Sequence, residues 1–282
     1  MTALPLRRIA FAFDERTPFQ WNRRNPHFGL IGNTVSFFAQ PFERYMVAAM
    51  RDARPRIADP AIREEAEAFL RQEAQHARIH RLHVDALIGQ YPALQQTLDA
   101  MQASFDALYA SESLEFHLAY AANIEATFAP LFGTWLEHPA ELFDNGDPPV
   151  AALFLWHFVE EIEHRASAFR VYNAVVPSRL YRLRQLPRVM RHIREVGDIL
   201  NAGINEHVPL AERLVDAGSR DVAAAFASIP ARARRRMNWR LLLSQWPYHD
   251  PDRERVPPIA ARWLQAYDEG RDVENWYAPA AP

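Results

Sequence analysis

The fold is decided by the stretch HFVEEIEH, residues 157–164. In a helix, side chains three and four positions apart share one face, so His157, Glu161 and His164 point the same way over successive turns. The residues between and before them are mostly apolar, which predicts a buried helix. Burying the polar side chains of His157, Glu161 and His164 costs free energy unless a positive charge neutralises them. The stretch therefore predicts a helix that carries a metal site.

Half of this pattern occurs upstream in QEAQH, residues 72–76, where Glu73 and His76 again have the spacing Glu-x-x-His. A single glutamate precedes each motif at a similar distance, Glu43 before the first and Glu125 before the second. Ferritin-like carboxylate proteins place one glutamate from each of two helices, and one Glu-x-x-His motif from each of two others, around two metal ions. The order of these residues predicts an all-α, ferritin-like helical bundle.

Alternatives remain open for several histidines and glutamates near the motifs. A single Glu-x-x-His arises by chance, but two copies, each with its own glutamate on an apolar helix, are specific. His157 is either a seventh ligand or a histidine of the core or of the ligands' surroundings, because ordinary ferritin-like sites lack it. Glu115 is a rival of Glu125 for the fourth carboxylate. We expect His80 and His83 to support the ligands or line the pocket rather than bind metal.

Charged residues outside the ligand set have simpler interpretations. We expect Glu160 and Glu163 to be solvated or paired with Arg165 or Arg170. The arginine-rich stretches after residue 178 are predicted to be solvated faces or a surface for an anion or a partner.

The composition excludes several classes of site. The 282-residue chain has no cysteine, and its 32 basic residues are all arginine. Disulfides, thiolate ligands, iron–sulfur clusters and cysteine nucleophiles are therefore excluded, as are a Schiff-base lysine and the lysine of a phosphate-binding loop. The net charge of −3 argues against nucleic acid as a partner.

No segment has the pattern of a signal peptide or a membrane span. Arg7 and Arg8 are followed by only a short apolar piece. The longest apolar run, near residues 150–159, is about half of the roughly 20 residues that a transmembrane helix needs. These observations predict a soluble, cytoplasmic protein.

The residue pattern divides the chain into four segments. Residues 1–32 are predicted to be an irregular N-terminal arm with a short strand at 8–13, and residues 33–176 the bundle core. Residues 177–276 are predicted to be a C-terminal helical extension packed on the core, and residues 277–282 a disordered tail. Capping residues and periodicity predict helices at about 33–52, 60–88, 92–109, 112–136, from residue 150 to 175, 188–202, 208–217, 219–228, 230–245 and 257–268.

The two motifs resemble those of a bacterial family described as predicted metal-dependent hydrolases. The likeness rests on QEAQH at 72–76 and on WHFVEEIEHR at 156–165, and it extends from about Arg8 into the C-terminal region. One departure is Ala126, where that family tends to have a histidine. The resemblance implies a metal-dependent enzyme.

The spacing of the second motif is also similar to that of di-iron enzymes of the p-aminobenzoate N-oxygenase type, in which an extra histidine supplements the Glu-x-x-His set. This resemblance implies two iron ions, with manganese or zinc as alternatives, and dioxygen as co-substrate. It implies a ligand set of seven side chains: Glu43, Glu73, His76, Glu125, His157, Glu161 and His164.

The two resemblances imply different activities. We favour a non-haem di-iron oxygenase or oxidase that N-oxygenates or hydroxylates a small organic substrate, because the ligand set resembles oxygen-activating sites. The alternatives are a di-metal hydrolase that uses a bridging hydroxide and a non-enzymatic metal-binding bundle. The expected partners are a small-molecule substrate and an external electron donor or reductase. A homodimer is left open.

Overall fold

The computed structural model describes residues 4–218 and 221–278. Within these ranges the regular structure consists of α-helices and two short 3-10 helices, with no β-strand. The all-α prediction is confirmed. The α-helices are α1 (Pro26–Ala53), α2 (Pro60–Gln90), α3 (Leu94–Ser111), α4 (Leu114–Leu136), α5 (Pro139–Leu142), α6 (Pro148–His164), α7 (Ser167–Val175), α8 (Arg179–His207), α9 (Leu210–Arg213), α10 (Asp221–Ala225), α11 (Ala231–Ser244) and α12 (Pro258–Asp268).

Local sequence signals set the starts of the helices that carry the Glu-x-x-His motifs. At the start of α2, the Asp59 side chain accepts a hydrogen bond from the amide of Ala61, and Pro60 occupies the first turn. Asp147 caps α6 in the same way through the amide of Val150. An acceptor side chain at the cap satisfies amides that have no partner within the helix, and proline needs none there.

Helix α1 begins at Pro26, earlier than the predicted start near residue 33. The Asn25 side chain accepts from the amide of Phe28 and caps the helix. Gly32 lies inside α1 because of a close approach: a Cβ there would lie 2.8 Å from the Trp21 and Phe154 rings. This glycine makes room for neighbouring rings and does not end the helix, so the prediction of the helix start was wrong.

The N-terminal arm has no strand in residues 4–25, and the predicted strand at 8–13 was wrong. The arm instead contributes side chains to the core, among them Ile9, Phe11 and Trp21. The Trp21 ring nitrogen donates to the carbonyl of Gly29 at 2.9 Å. The arm therefore crosses the bundle and is held against it.

Four helical segments surround the centre of the molecule. Helix α1 packs along α2 and against α4, while α6 packs against α4 and α2. The helix predicted to continue to residue 175 is interrupted at residues 165–166, and α7 continues the layer against α2 and α4. Phe69 lies 4.9 Å from the His164 ring and Trp156 lies 5.0 Å from the His76 ring, measured between ring centroids. Apolar rings thus enclose the motif histidines from two sides.

The later helices pack around this core. Helix α8 lies against α3 and α4, α11 lies against α4, and α12 lies against α6. Helix α8 is longer than the predicted 188–202 and continues through Pro187. In the predicted disordered tail, the Tyr277 ring stacks on Phe143 at a centroid distance of 6.2 Å, while residues 279–282 lie outside the described ranges. No helix in those ranges is both long enough and apolar enough to cross a membrane.

Candidate metal centre

The seven predicted ligands lie together in the interior, six of them in two close groups and the seventh, Glu125, beside His164. Helix α1 contributes Glu43, α2 contributes Glu73 and His76, and α4 contributes Glu125. Helix α6 contributes the remaining three side chains, those of His157, Glu161 and His164. None of the seven is more than 3% exposed.

Two overlapping groups of four side chains have the geometry of a metal site. In each group, one nitrogen or carboxylate oxygen from every residue lies within 4.8 Å of the others. His76 and Glu161 belong to both groups. The first group is Glu43, His76, His157 and Glu161, and the second is Glu73, His76, Glu161 and His164.

The glutamates of the two Glu-x-x-His motifs lie between the histidines. Glu161 Oε1 is 2.9 Å from His157 Nε2, 3.4 Å from His76 Nδ1 and 3.8 Å from His164 Nε2. Glu73 spans the other side, with Oε1 3.1 Å from His164 Nε2 and Oε2 3.7 Å from His76 Nδ1. Both carboxylates can therefore reach the two ends of the cluster.

The two single glutamates lie at opposite ends. Glu43 Oε1 is 3.6 Å from His157 Nε2, and Glu125 Oε2 is 3.8 Å from His164 Nδ1. The rival carboxylate, Glu115, lies in the first turn of α4, where it pairs with Arg56 at 2.8 Å and is partly exposed. The structure therefore brings Glu125, and not Glu115, to the cluster.

The His76 ring is fixed from outside the cluster. Its Nε2 is hydrogen-bonded to Glu160 Oε2 at 3.0 Å, which leaves Nδ1 facing Glu73 and Glu161. Arg7 donates to the other oxygen of Glu160 at 3.1 Å and makes two further bonds to Glu163, at 2.7 and 2.8 Å. A carboxylate bonded to the outer nitrogen of a metal-binding histidine fixes its tautomer and orientation.

The predicted environment of Glu160 was wrong. We expected solvent or a pairing with Arg165 or Arg170, but Glu160 is fully buried and its cationic partner is Arg7. Arg170 pairs with Glu65 instead, and Arg165 donates to backbone carbonyls. Arg7 lies in the irregular arm, 153 residues from Glu160, and helical spacing reveals only partners a turn away.

A second set of hydrogen bonds supports His157. Its Nδ1 shares a bond of 2.9 Å with His80 Nε2. Ser36 Oγ lies 2.9 Å from His80 Nδ1 and 2.8 Å from His83 Nδ1, so the three side chains form a connected group. Neither His80 nor His83 belongs to the two metal-site groups. This arrangement agrees with the expectation that both histidines support the site.

Many atoms inside the cluster have no hydrogen-bond partner among the described residues. They include both carboxylate oxygens of Glu73 and of Glu125, Oε2 of Glu161, Nδ1 of His76, and both ring nitrogens of His164. Each such buried group costs on the order of 1–3 kcal/mol when it is left unpaired. The unpaired atoms are carboxylate oxygens and imidazole nitrogens, which are the donors that bind iron, manganese and zinc. The residues present therefore fit a pair of metal ions.

The sequence profile of a family described as predicted metal-dependent hydrolases matches residues 5–245, which include the arm, all seven residues of the cluster and most of the C-terminal extension. The chain belongs to this family. No protein with a curated description and no solved structure is significantly similar to the chain. Membership of the predicted metal-dependent hydrolase family agrees with a metal-dependent enzyme, while the likeness to N-oxygenases stays a prediction.

The charges of this family member's cluster favour a bound cation. Burial raises the pKa of Glu43 and of Glu125 well above the usual carboxyl range, and neighbouring carboxylates add to the effect. For the same two reasons the pKa of Glu73 rises to about 7. These shifts mean that the ionised carboxylates lack compensation from the protein alone. Four glutamates would balance two divalent ions.

The pKa values of the cluster histidines are shifted in different directions. Burial lowers the pKa of His164 to about 4 and that of His157 well below its usual value, so both rings are neutral and able to bind metal at neutral pH. Burial also opposes the charged form of His76, but its contacts with Glu160, Glu161 and Glu73 outweigh burial and raise its pKa well above the usual value. A metal ion at Nδ1 would take the place of that proton.

Proposed function

We propose that this protein is a two-metal enzyme with iron as its favoured metal. In this proposal it uses dioxygen to oxidise a small organic substrate, by N-oxygenation or hydroxylation. The observation that carries the proposal is the buried set of three carboxylates and three imidazoles in two close groups, with the carboxylate of Glu125 beside His164; many of their oxygens and nitrogens have no hydrogen-bond partner. Iron, when bound, supplies the electrons that dioxygen needs for activation.

Each residue of the cluster has a role in this proposal. Glu43, His76 and His157 would hold one ion, and Glu125 and His164 would hold the other. The remaining two glutamates of the set, Glu73 and Glu161, would bind both ions, because each lies close to histidines of both ends.

Burial supports a small co-substrate. The ligand side chains are almost completely inaccessible to water, and the Phe69 and Trp156 rings pack against two of the histidines. Dioxygen is a small apolar molecule that suits such an enclosed site, and the organic substrate of an oxygenase would need the same access to the metal as the substrate of a hydrolase. The chain has no cysteine for an iron–sulfur cluster, so the electrons would come from an external donor or reductase.

The family description favours a second candidate, a hydrolase. In that case zinc or manganese, held by the same residues, would supply the activated water needed to hydrolyse an ester or amide. The same seven residues would hold the ions, so the ligand set alone does not separate the two activities.

Oxygen dependence separates them. Protein produced in iron-rich medium is reduced without air and then exposed to oxygen, while metal content, absorbance and oxygen uptake are measured. The oxidase proposal predicts two irons per chain, uptake of oxygen and a transient visible absorption. The Glu161→Ala variant is the control and should show none of these. Zinc or manganese at full occupancy, hydrolysis of esters or amides, and no response to oxygen would establish the hydrolase instead.

A further inference from the structure

One side of α11 and the turn after it exposes large apolar side chains to water. Trp239, Leu242 and Trp246 are 62%, 69% and 59% exposed and recur at three- and four-residue steps, which places them in one line. Leu243 and Tyr248 beside them are 47% and 66% exposed. We call these five residues the Trp face. Single exposed apolar residues are ordinary, but a contiguous group with two tryptophans indicates an interaction surface.

The Trp face is held in place by the packing behind it. Met237 and Ser244, on the opposite side of α11, are buried, and α11 packs on α4. The guanidinium of Arg182 is also buried and donates to the carbonyls of Ser244 and Trp246 at 3.2 Å each. The exposed rings thus stand on an anchored helix end.

Arginines border the Trp face at the N-terminal end of α11. The helix contains five arginines and no acidic residue. Arg236 and Arg240 are neutralised by Glu137 and Glu254. The exposed Arg232 and Arg235 form no ion pair with any described residue, and they lie one to two turns before Trp239 on the same side of the helix.

Further arginines lie on the other border. Arg179 lies 5.4 Å from the centre of the Tyr248 ring. Arg255 is exposed and lines, with Trp246 and Tyr248, a cavity of about 550 Å³. Neither arginine has an ion-pair partner in the described ranges. The acidic residues of this cavity, Glu137, Asp250 and Glu254, are each paired with another arginine. The surroundings of the Trp face therefore carry an excess of positive charge.

We propose that the Trp face binds the surface of an anionic lipid bilayer. Tryptophan and tyrosine prefer the boundary between headgroups and acyl chains, where leucine adds apolar contact. Unpaired arginines beside them would meet lipid phosphates, which attract basic residues close to a bilayer. A second copy of the chain fits this surface less well, because a symmetric contact would bring unpaired arginines of both copies together. None of the five residues of the Trp face belongs to the metal cluster, so the inference does not depend on the proposed function.

Vesicle binding tests this inference on the full chain. The protein is sedimented with vesicles of phosphatidylglycerol and, separately, of phosphatidylcholine alone. We expect binding to phosphatidylglycerol that weakens at high salt, and a blue shift of tryptophan fluorescence when vesicles are added. Arg232→Gln/Arg235→Gln should lower the partition coefficient about tenfold or more. Trp239→Ser/Leu242→Ser/Trp246→Ser should remove both the binding and the blue shift.

Matched variants show whether vesicle binding depends on the Trp face itself. Arg23→Gln/Arg71→Gln removes two exposed arginines elsewhere, and Met190→Ser/Leu210→Ser removes two exposed apolar residues elsewhere. Both should bind vesicles like the wild type. The proposal is overturned if the wild type fails to bind phosphatidylglycerol vesicles, or if the control variants lose binding equally. It is also overturned if light scattering shows a dimer that only the Trp-face variant dissociates, since the face would then be covered by a second copy.

Discussion

The two ends of the metal cluster use the same types of side chain in different surroundings. At one end, the outer nitrogen of His76 is held by Glu160 and Arg7, and His157 is held by His80. At the other end, both ring nitrogens of His164 and both carboxylate oxygens of the neighbouring Glu125 lack a hydrogen-bond partner among the described residues. Hydrogen bonds from the protein fix the ligand side chains at the first end, whereas at the second end only a bound ion would pair with the ligand atoms.

Ligands of the same type therefore need not bind a metal ion with the same affinity. Hydrogen bonds to the outer atoms of ligands fix ring orientation and make the ligand more basic, and their loss typically weakens metal binding 10–100-fold. We therefore expect the ion near His76 to be bound more tightly than the ion near His164.

The largest effect should come from the glutamates that serve both ends. Glu73→Ala or Glu161→Ala should abolish binding of both ions, because each carboxylate lies between the two positions. Elemental analysis of purified protein measures this, and circular dichroism checks that the helices remain. Glu64→Ala, at an exposed position of the same helix α2, is the control and should keep its metal. Full occupancy in either glutamate variant would refute the site.

The pH dependence of stability should differ between the two motif histidines in chelator-treated protein. The pKa of His164 falls from 6.5 to about 4 on folding, so this residue destabilises the folded state increasingly as pH drops from 6.5 towards 4. His164→Asn should remove a penalty on the order of 3 kcal/mol at the acid end.

His76 should change the pH dependence of folding stability above pH 6.5. Its raised pKa contributes stability that is complete below pH 6.5 and is lost as pH rises through the folded-state value. His76→Asn should therefore flatten the stability curve above pH 6.5 and leave its slope below that pH unchanged. Urea unfolding at a series of pH values measures both variants, and identical curves for the two would contradict the asymmetry.

Removing the charge of the carboxylate that bonds to His76 should lower the affinity for one ion only. Glu160→Gln keeps a side chain of the same size but loses the carboxylate that bonds to the ring, so affinity at that end should fall 10–100-fold. Competition with a chelator measures it. Glu163→Gln is the matched control, because Glu163 also bonds to Arg7 but does not contact a motif histidine. Equal losses at both ions, or in both variants, would argue against a specific effect on His76.

The smallest effect should follow from the support of His157. His80→Ala removes the hydrogen bond to His157 Nδ1. This change should lower the affinity for the nearby ion by about tenfold or less. His83→Ala removes a ring that bonds to Ser36 but not to His157, and it should change affinity less. The same chelator competition ranks the two variants, and the reverse order would contradict the account.

Much of this centre was predictable because its elements are periodic. Two Glu-x-x-His motifs and two single glutamates place four carboxylates on buried helix faces, and the spacing of His80 from His76 predicted a supporting role. The cap at Asp59 predicted the start of α2 in the same way, since its effect is confined to one turn.

Features that depend on distant partners were not predictable. Arg7 reaches Glu160 across 153 residues from a segment without regular structure. The start of α1 was placed too late because the helical periodicity is clear only from about residue 33, whereas Gly32 fits inside the helix through its close approach to the Trp21 ring. The exposure of Trp239 could not be predicted from the sequence either, because apolar residues at helical spacing predict a buried face as readily as a docking surface.

Stepwise extraction of metal would show whether this centre holds two ions of different affinity. Wild-type protein loaded with iron under anaerobic conditions is treated with increasing chelator, and the metal left per chain is counted at each step. We expect two ions per chain that leave in two separate steps. In His164→Ala the step that belongs to the more weakly bound ion should be missing. A single ion per chain in correctly folded wild-type protein, or no bound metal, would contradict a two-metal centre built from these seven residues.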